Sequence, residues 1–243
     1  MKAASHWEVF STEWIDWVRT PDHDAFWMYL DEFRNFVPPA GTATCEIGCG
    51  EGRISRELTS LGHRVTGVDL SPSLLASAQE ANSAERYVLA DATALPFPDG
   101  HFDRVVAYNV LMDVPDLGAA TAEAARVLAP NGILTISIVH PFTDLGAFDE
   151  VGRFVLHGNY FECRPFAAVE RSRGLTMHWD GWSRPLRDYV GALRSAGLVV
   201  EDLYEPVPAQ GLDDEVDGRV DDWRRLPLFL WLNVRHGAPV SRP

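Results

Sequence analysis

Glu46 and Asp69 each close a short apolar run, and Gly48, Gly50 and Gly52 stand between them. Residue types in this order suit a nucleotide-like ligand. Glycines let a ligand approach backbone amides at a helix N-terminus, and an acid at the end of the next strand accepts hydrogen bonds from ribose hydroxyls. Residues 42–47 predict a strand, 53–61 a helix and 64–69 a second strand. Spacing then selects among cofactors. A dinucleotide fingerprint, Gly-x-Gly-x-x-Gly, would put its third glycine at position 53. That position is Arg53, which counts against a dinucleotide-dependent redox enzyme.

The elements around this block have an alternating rhythm. Pro38-Pro39-Ala40-Gly41 separates an N-terminal helical region, about 5–36, from the rest of the chain. Strands are predicted at 86–90, 103–108 and 132–139, and helices at 72–82 and 117–129. Pro130-Asn131-Gly132 is read as the turn into the last of these strands. A helix at about 185–196, with Ser183 as candidate N-cap, and strands at 198–204 and 228–235 complete the pattern. Apolar strands alternating with helices imply a parallel sheet covered on both faces. Residues 212–222 are rich in acids and read as a solvated loop.

Composition narrows the function. The 243 residues carry 35 acids against 21 Lys plus Arg, a net charge of −14. Phosphate contacts need a basic patch, so a nucleic-acid partner is not expected, nor an anionic membrane surface. No apolar run approaches the roughly 20 residues that span a bilayer, and the N-terminal segment lacks a signal-peptide core. A cytoplasmic protein is the expectation. Cys45, Cys49 and Cys163 give neither a disulfide framework nor a zinc set, and no metal is expected.

The block Glu46-x-Gly-x-Gly-x-Gly52, with Val68-Asp69 after it, resembles the first two motifs of class I S-adenosylmethionine (SAM) methyltransferases. The likeness extends over about 40–140. Leu89-Ala-Asp-Ala-Thr93 resembles the family's third-strand segment, which implies Asp91 beside the adenine amino group and the Ala92 amide at the ring. Tyr108-Asn109-Val110-Leu111 resembles the end of the fourth strand, whose backbone lines the methionine part of SAM. Glu123-Ala-Ala-Arg-Val-Leu-Ala-Pro-Asn-Gly132 resembles the family's E-x-x-R-V-L-x-P-G-G segment, with Asn131 in a place where a left-handed conformation is expected. The resemblance implies a Rossmann-like α/β fold: a seven-stranded, mostly parallel sheet with helices on both faces, the seventh strand antiparallel between the fifth and sixth. It implies a SAM-binding domain over 39–243 with an acceptor-pocket insert at about 140–182, and the Trp-rich segment 1–38 reads as a helical lid, with plain packing on the domain as the alternative. SAM contacts are expected from Glu46, Gly48, Cys49, Gly50, Arg53, Asp69, Leu70, Asp91, Ala92, Tyr108 and Asn109.

Methyl transfer from a sulfonium asks the protein to align an acceptor, exclude water and, where needed, accept a proton. Catalytic and acceptor residues must therefore come from the variable segments. His140 comes directly after the fifth strand, on the ligand side of a parallel sheet, and is the candidate base. His178 in the insert is the second candidate. Trp14 and Trp27 of the lid, with Tyr160, Trp179 and Trp182 of the insert, are candidate acceptor contacts. Arg19 and His23 are further lid residues that could face a ligand. The reading is a methyltransferase acting on an N or O atom of a small aromatic or apolar molecule, of the kind used in specialised metabolism. A methyltransferase for protein or RNA, and a SAM-binding sensor without activity, are the alternatives.

Overall fold

The computed structural model describes residues 5–21, 23–209 and 220–237. Most of the predicted acidic loop, residues 212–219, lies outside the described residues. The chain begins with α1 (His6–Val9), α2 (Ser11–Arg19), a 3-10 turn (Ala25–Tyr29) and α3 (Leu30–Phe36). It continues through β1 (Thr44–Ile47), α4 (Arg53–Ser60), β2 (Val65–Asp69), α5 (Pro72–Glu80), β3 (Arg86–Leu89), β4 (Phe102–Tyr108), α6 (Leu117–Val127) and β5 (Leu128–Val139). Next come two hairpins, β6 (Gly146–Phe148) with β7 (Phe154–Leu156), and β8 (Arg164–Ser172) with β9 (Leu175–Ser183). The remaining elements are α7 (Leu186–Ser195), β10 (Leu198–Tyr204), α8 (Val220–Trp223) and β11 (Phe229–His236).

Seven strands form one sheet in the order β10-β11-β5-β4-β1-β2-β3. β1 to β5 are parallel, and β11 runs antiparallel to both of its neighbours, as the resemblance implied. Strand alternation supplies two cores. Val105 and Ala107 face one side with Leu117, Ala120 and Ala124 of α6 and Tyr189 and Leu193 of α7. Val106 and Tyr108 face the other, against Phe26, Met28 and Tyr29 of the 3-10 turn, Phe33 of α3, and Ile54 and Leu58 of α4. Burial on both faces is why these strands read as nearly continuous apolar runs. The sheet order reverses at β1, whose neighbours are β2 and β4, so the ligand crevice belongs at the carboxyl ends of β1 and β4. No helix among the described residues is long and apolar enough to cross a membrane.

Three local expectations change. The N-terminal region is a series of short pieces whose later part, the 3-10 turn and α3, is buried core. Neither Asn131 nor Gly132 adopts a positive φ; Leu128 pairs with Phe102 and Ile133 with Arg104, so the intervening residues bulge from the ladder. Ser183 ends β9 and does not cap α7; Leu186 N–H donates instead to the Tyr160 hydroxyl at 3.1 Å. The Glu123 and Arg126 motif residues act together. Glu123 accepts from Leu95 N–H at 2.7 Å, and Arg126 donates to the Phe97 and Leu95 carbonyls, fixing the segment after β3.

Gly52 starts α4 with φ +88°, and a Cβ there would stand 2.4 Å from the Ser83 side chain. Gly52→Ala is expected to lower unfolding free energy by about 2–4 kcal/mol, from the left-handed backbone and overpacking together. Urea denaturation checks this; a wild-type midpoint would contradict it.

Candidate cofactor and acceptor site

The turn after β1 is held open by its own backbone. Gly48 and Gly50 have φ of +69° and +55°, and a Cβ on Gly48 would stand 2.4 Å from Val110. Asp69 ties this turn to the end of β2. Its carboxylate accepts from Gly50 N–H at 2.7 Å and from Ser71 N–H at 2.8 Å. Burial pushes the Asp69 carboxyl upward, opposed by these backbone donors. Glu46 is buried beneath the turn and accepts from the Ser55 hydroxyl; burial pushes its pKa up to about 8. Cys49 turns its thiol inward, close to Gly67, so only its backbone can line a ligand. Leu70 is exposed just beyond Asp69.

The other strand ends converge on the same edge. Asp91 accepts from Thr93 N–H and Oγ1 at 2.9 and 2.7 Å, beside the partly exposed Ala92. Asn109 adopts φ +50° at the end of β4, and its side-chain oxygen accepts from Ser137 Oγ at 2.6 Å. Tyr108 points into the core, edge-on to Phe26 and Phe33, so its side chain is packing while its backbone reaches the crevice.

The N-terminal segment lies over this edge and is fastened by charge. Glu8 accepts from the Ser71 hydroxyl and from Ser73 N–H and Oγ, at the N-terminus of α5, and the Ser71 bond holds its carboxyl below the usual range. Arg19 donates to the buried Glu51 at 2.8 Å and to the Ser77 carbonyl at 3.1 Å. Arg53, the first residue of α4, pairs with Asp24 at 2.6 Å and lies over the Phe26 and Trp14 rings. The Trp14 indole nitrogen would stand 3.3 Å from a Cβ on Gly50. Trp7, Trp14 and Trp179 of β9 meet one another edge to face, with centroids 5.4 to 6.4 Å apart, and Trp17 joins at 6.0 Å from Trp179. His23 is buried against Trp17 at 4.2 Å, and burial pushes its pKa down. Trp27 packs on Phe26, on the core side of the 3-10 turn.

The candidate histidines occupy defined bonds. His140 accepts at Nδ1 from Phe142 N–H at 3.2 Å and places Nε2 3.1 Å from Glu205. Both ring nitrogens are engaged, and burial lowers its pKa against the pull of Glu205. His178 pairs with Glu13 at 2.8 Å and stacks on Phe10, fastening the β8–β9 hairpin to α2. With Trp179, Asp180, His6 and Phe10 it borders a groove of about 320 Å³. Tyr160 is used at the start of α7, and the Trp182 ring lies under the Arg184 guanidinium while its backbone N–H donates to the Met112 carbonyl at 2.8 Å. The structure thus gathers the SAM candidates and Trp14 and Trp179 at one edge. Tyr160, Trp182 and His178 serve seams around it.

A model of a methyltransferase domain matches residues 45–136. A ubiquinone biosynthesis O-methyltransferase of Xanthomonas axonopodis pv. citri is 32% identical over 180 residues, 70% of each chain. The chain belongs to the SAM-dependent methyltransferases of class I. A malonyl-[acyl-carrier protein] O-methyltransferase of Serratia marcescens is 35% identical over 112 residues, 46% of this chain, which spans only 42% of that relative's length. The solved structure of a SAM-dependent methyltransferase from Mesorhizobium loti superposes with a TM-score of 0.66 at 26% identity, covering 88% of this chain and 99% of that one.

SAM fits the observed cradle: the glycine turn leaves space that side chains would fill, and Asp69 presents a carboxylate beside it. Sequence reasoning missed Glu8, Asp24 and Glu51, whose partners are distant along the chain; it also missed Asp113 and Arg184. Asp69→Ala is expected to weaken SAM binding at least about tenfold with the fold retained, since charge-assisted hydrogen bonds contribute about 1.5–3 kcal/mol. Calorimetry giving unchanged affinity would remove Asp69 from the site.

Proposed function

We propose that the chain methylates an oxygen or nitrogen atom of a small, largely apolar or aromatic acceptor. The observation that carries this reading is the tryptophan roof, Trp7, Trp14 and Trp179, closed over the glycine turn. Such a roof suits a flat or apolar molecule brought against a buried cofactor. The two relatives above, both O-methyltransferases by name, support transfer to oxygen. The net charge of −14 argues against a nucleic-acid acceptor.

SAM, when bound, supplies a methyl group already activated for displacement. Asp69 and Asp91 would hold its ribose and adenine, and the Gly48–Gly50 backbone would hold its methionine part. The roof excludes water, and the insert and lid together orient the acceptor. None of this demands a metal.

Incubation of the protein with methyl-labelled SAM and a metabolite extract, then mass spectrometry, tests the reading. One labelled methyl on a small molecule is expected. Label confined to protein or RNA, or SAM binding without transfer, would favour the other readings. The double variant Trp14→Ala/Trp179→Ala is expected to cut turnover at least about tenfold, because misaligned reactants lose rate steeply. Turnover at the wild-type level would assign these rings to packing alone.

A further inference from the structure

Asp113 is a carboxylate that the recognised motifs leave unexplained. It lies just after β4, at the point where the sheet order reverses. Val110, three residues earlier, packs against Gly48, so this segment borders the glycine turn directly. The segment is held by hydrogen bonds. Asp113 N–H donates to the Val110 carbonyl at 2.9 Å. Arg184, buried behind it, donates to the carbonyls of Leu111, Met112, Val114 and Pro115 at 2.6 to 3.2 Å. Arg184 bonds this segment through its backbone, and Asp113 makes no ion pair among the described residues. Room for the carboxylate is kept by Gly181 of β9, where a Cβ would stand 3.0 Å from Asp113 Oδ1 and 3.2 Å from the Met112 carbonyl. The Trp7 indole of the roof favours its ionised form.

Gly181 of β9 and the Arg184-held backbone thus bound one carboxylate in the segment that borders the glycine turn. The charged groups acting on it are Asp180 of β9, Asp69 at the end of β2 and Arg184 after β9. Burial and the two acids hold its proton on, against Trp7 and Arg184, so the carboxyl stands well above the ordinary range.

We propose that Asp113 is the acid–base residue of this site, ionising to face the positive sulfonium and then receiving the acceptor's O–H or N–H proton. This rests on the SAM-dependent reading above. A cation beside a reluctant acid favours its ionised form. SAM, cationic at sulfur, therefore binds best to ionised Asp113, whereas S-adenosylhomocysteine, uncharged at sulfur, has no such preference. Asp113 takes the acceptor's proton as the acceptor's lone pair forms the new bond to carbon and the carbon–sulfur pair returns to sulfur. Loss of the sulfonium charge restores the proton affinity of Asp113 as the acceptor releases its hydrogen. A carboxyl tuned in this way suits an acceptor hydroxyl or amine.

The test is the ratio of SAM to S-adenosylhomocysteine affinity, measured by calorimetry across roughly pH 5.5–8.5. Asp69 would meet the ribose that both ligands share and Glu46 lies buried beneath the turn, so their titrations enter both affinities and cancel in the ratio. In the wild type the ratio is expected to climb with pH, by up to about tenfold per unit, between the Asp113 pKa with SAM and that without it. In Asp113→Asn it should be flat. The exposed Asp180→Asn, which removes a like charge, should shift the midpoint of the climb to lower pH. This second variant keeps the test open if Asp113→Asn does not fold. A flat wild-type ratio, an unchanged climb in Asp113→Asn, or an unmoved midpoint in Asp180→Asn would overturn the proposal. Wild-type protein that bound neither ligand would overturn the SAM reading itself, and the proposal with it.

Discussion

The two backbone hydrogen bonds accepted by Asp69 fix the geometry on which the rest of the site depends. One comes from Gly50 in the turn after β1, the other from Ser71 at the start of α5. A single carboxylate therefore sets the distance between two strand ends and two helix N-termini. The positive φ values at Gly48, Gly50 and Gly52 let the chain make that turn. Glu46 lies buried below, bonded to Ser55 of α4, and carries its proton more readily than a free carboxyl would. Full ionisation there would add a second buried negative charge beside Asp69, which the interior resists.

The roof and the insert are built differently from the sheet. The sheet depends on apolar burial on both faces, whereas the roof depends on ion pairs and aromatic edges. Arg184 links the two. It lies just beyond β9 and grips four carbonyls of the segment after β4. Movement of the hairpin is thereby coupled to the backbone next to the glycine turn. Four unpaired carbonyls would be costly to leave without partners, so this coupling is stiff.

The forces behind these parts decide how legible each was in the sequence. The parallel strands were readable because burial on both faces leaves continuous apolar runs, and predicted and observed bounds differ mostly by a residue or two. β5 differs more, because its ladder resumes before the Pro130–Gly132 bulge. The acids and glycines of the cofactor edge were readable because backbone geometry demands those types. The insert was not. β8 is exposed along most of its length, so it carries no strong period, and its pairing with β9 came only from the structure. His140 was placed correctly at the end of β5, yet its partner Glu205 lies just after β10, and no local pattern announces such a pair. Glu8 meets Ser71 across 63 positions of chain, beyond the reach of any motif. Asp113 looks, in sequence, like an ordinary loop acid after a buried strand.

The fastenings of the N-terminal segment come in chain order: Glu8 on α5, Glu13 on His178, Arg19 on Glu51, then Asp24 on Arg53. Each lies on a different stretch of backbone, so they can be released in series, like teeth of a zip. A segment that peels faces only its most resistant single step, whereas one swinging as a rigid flap must break every tie at once.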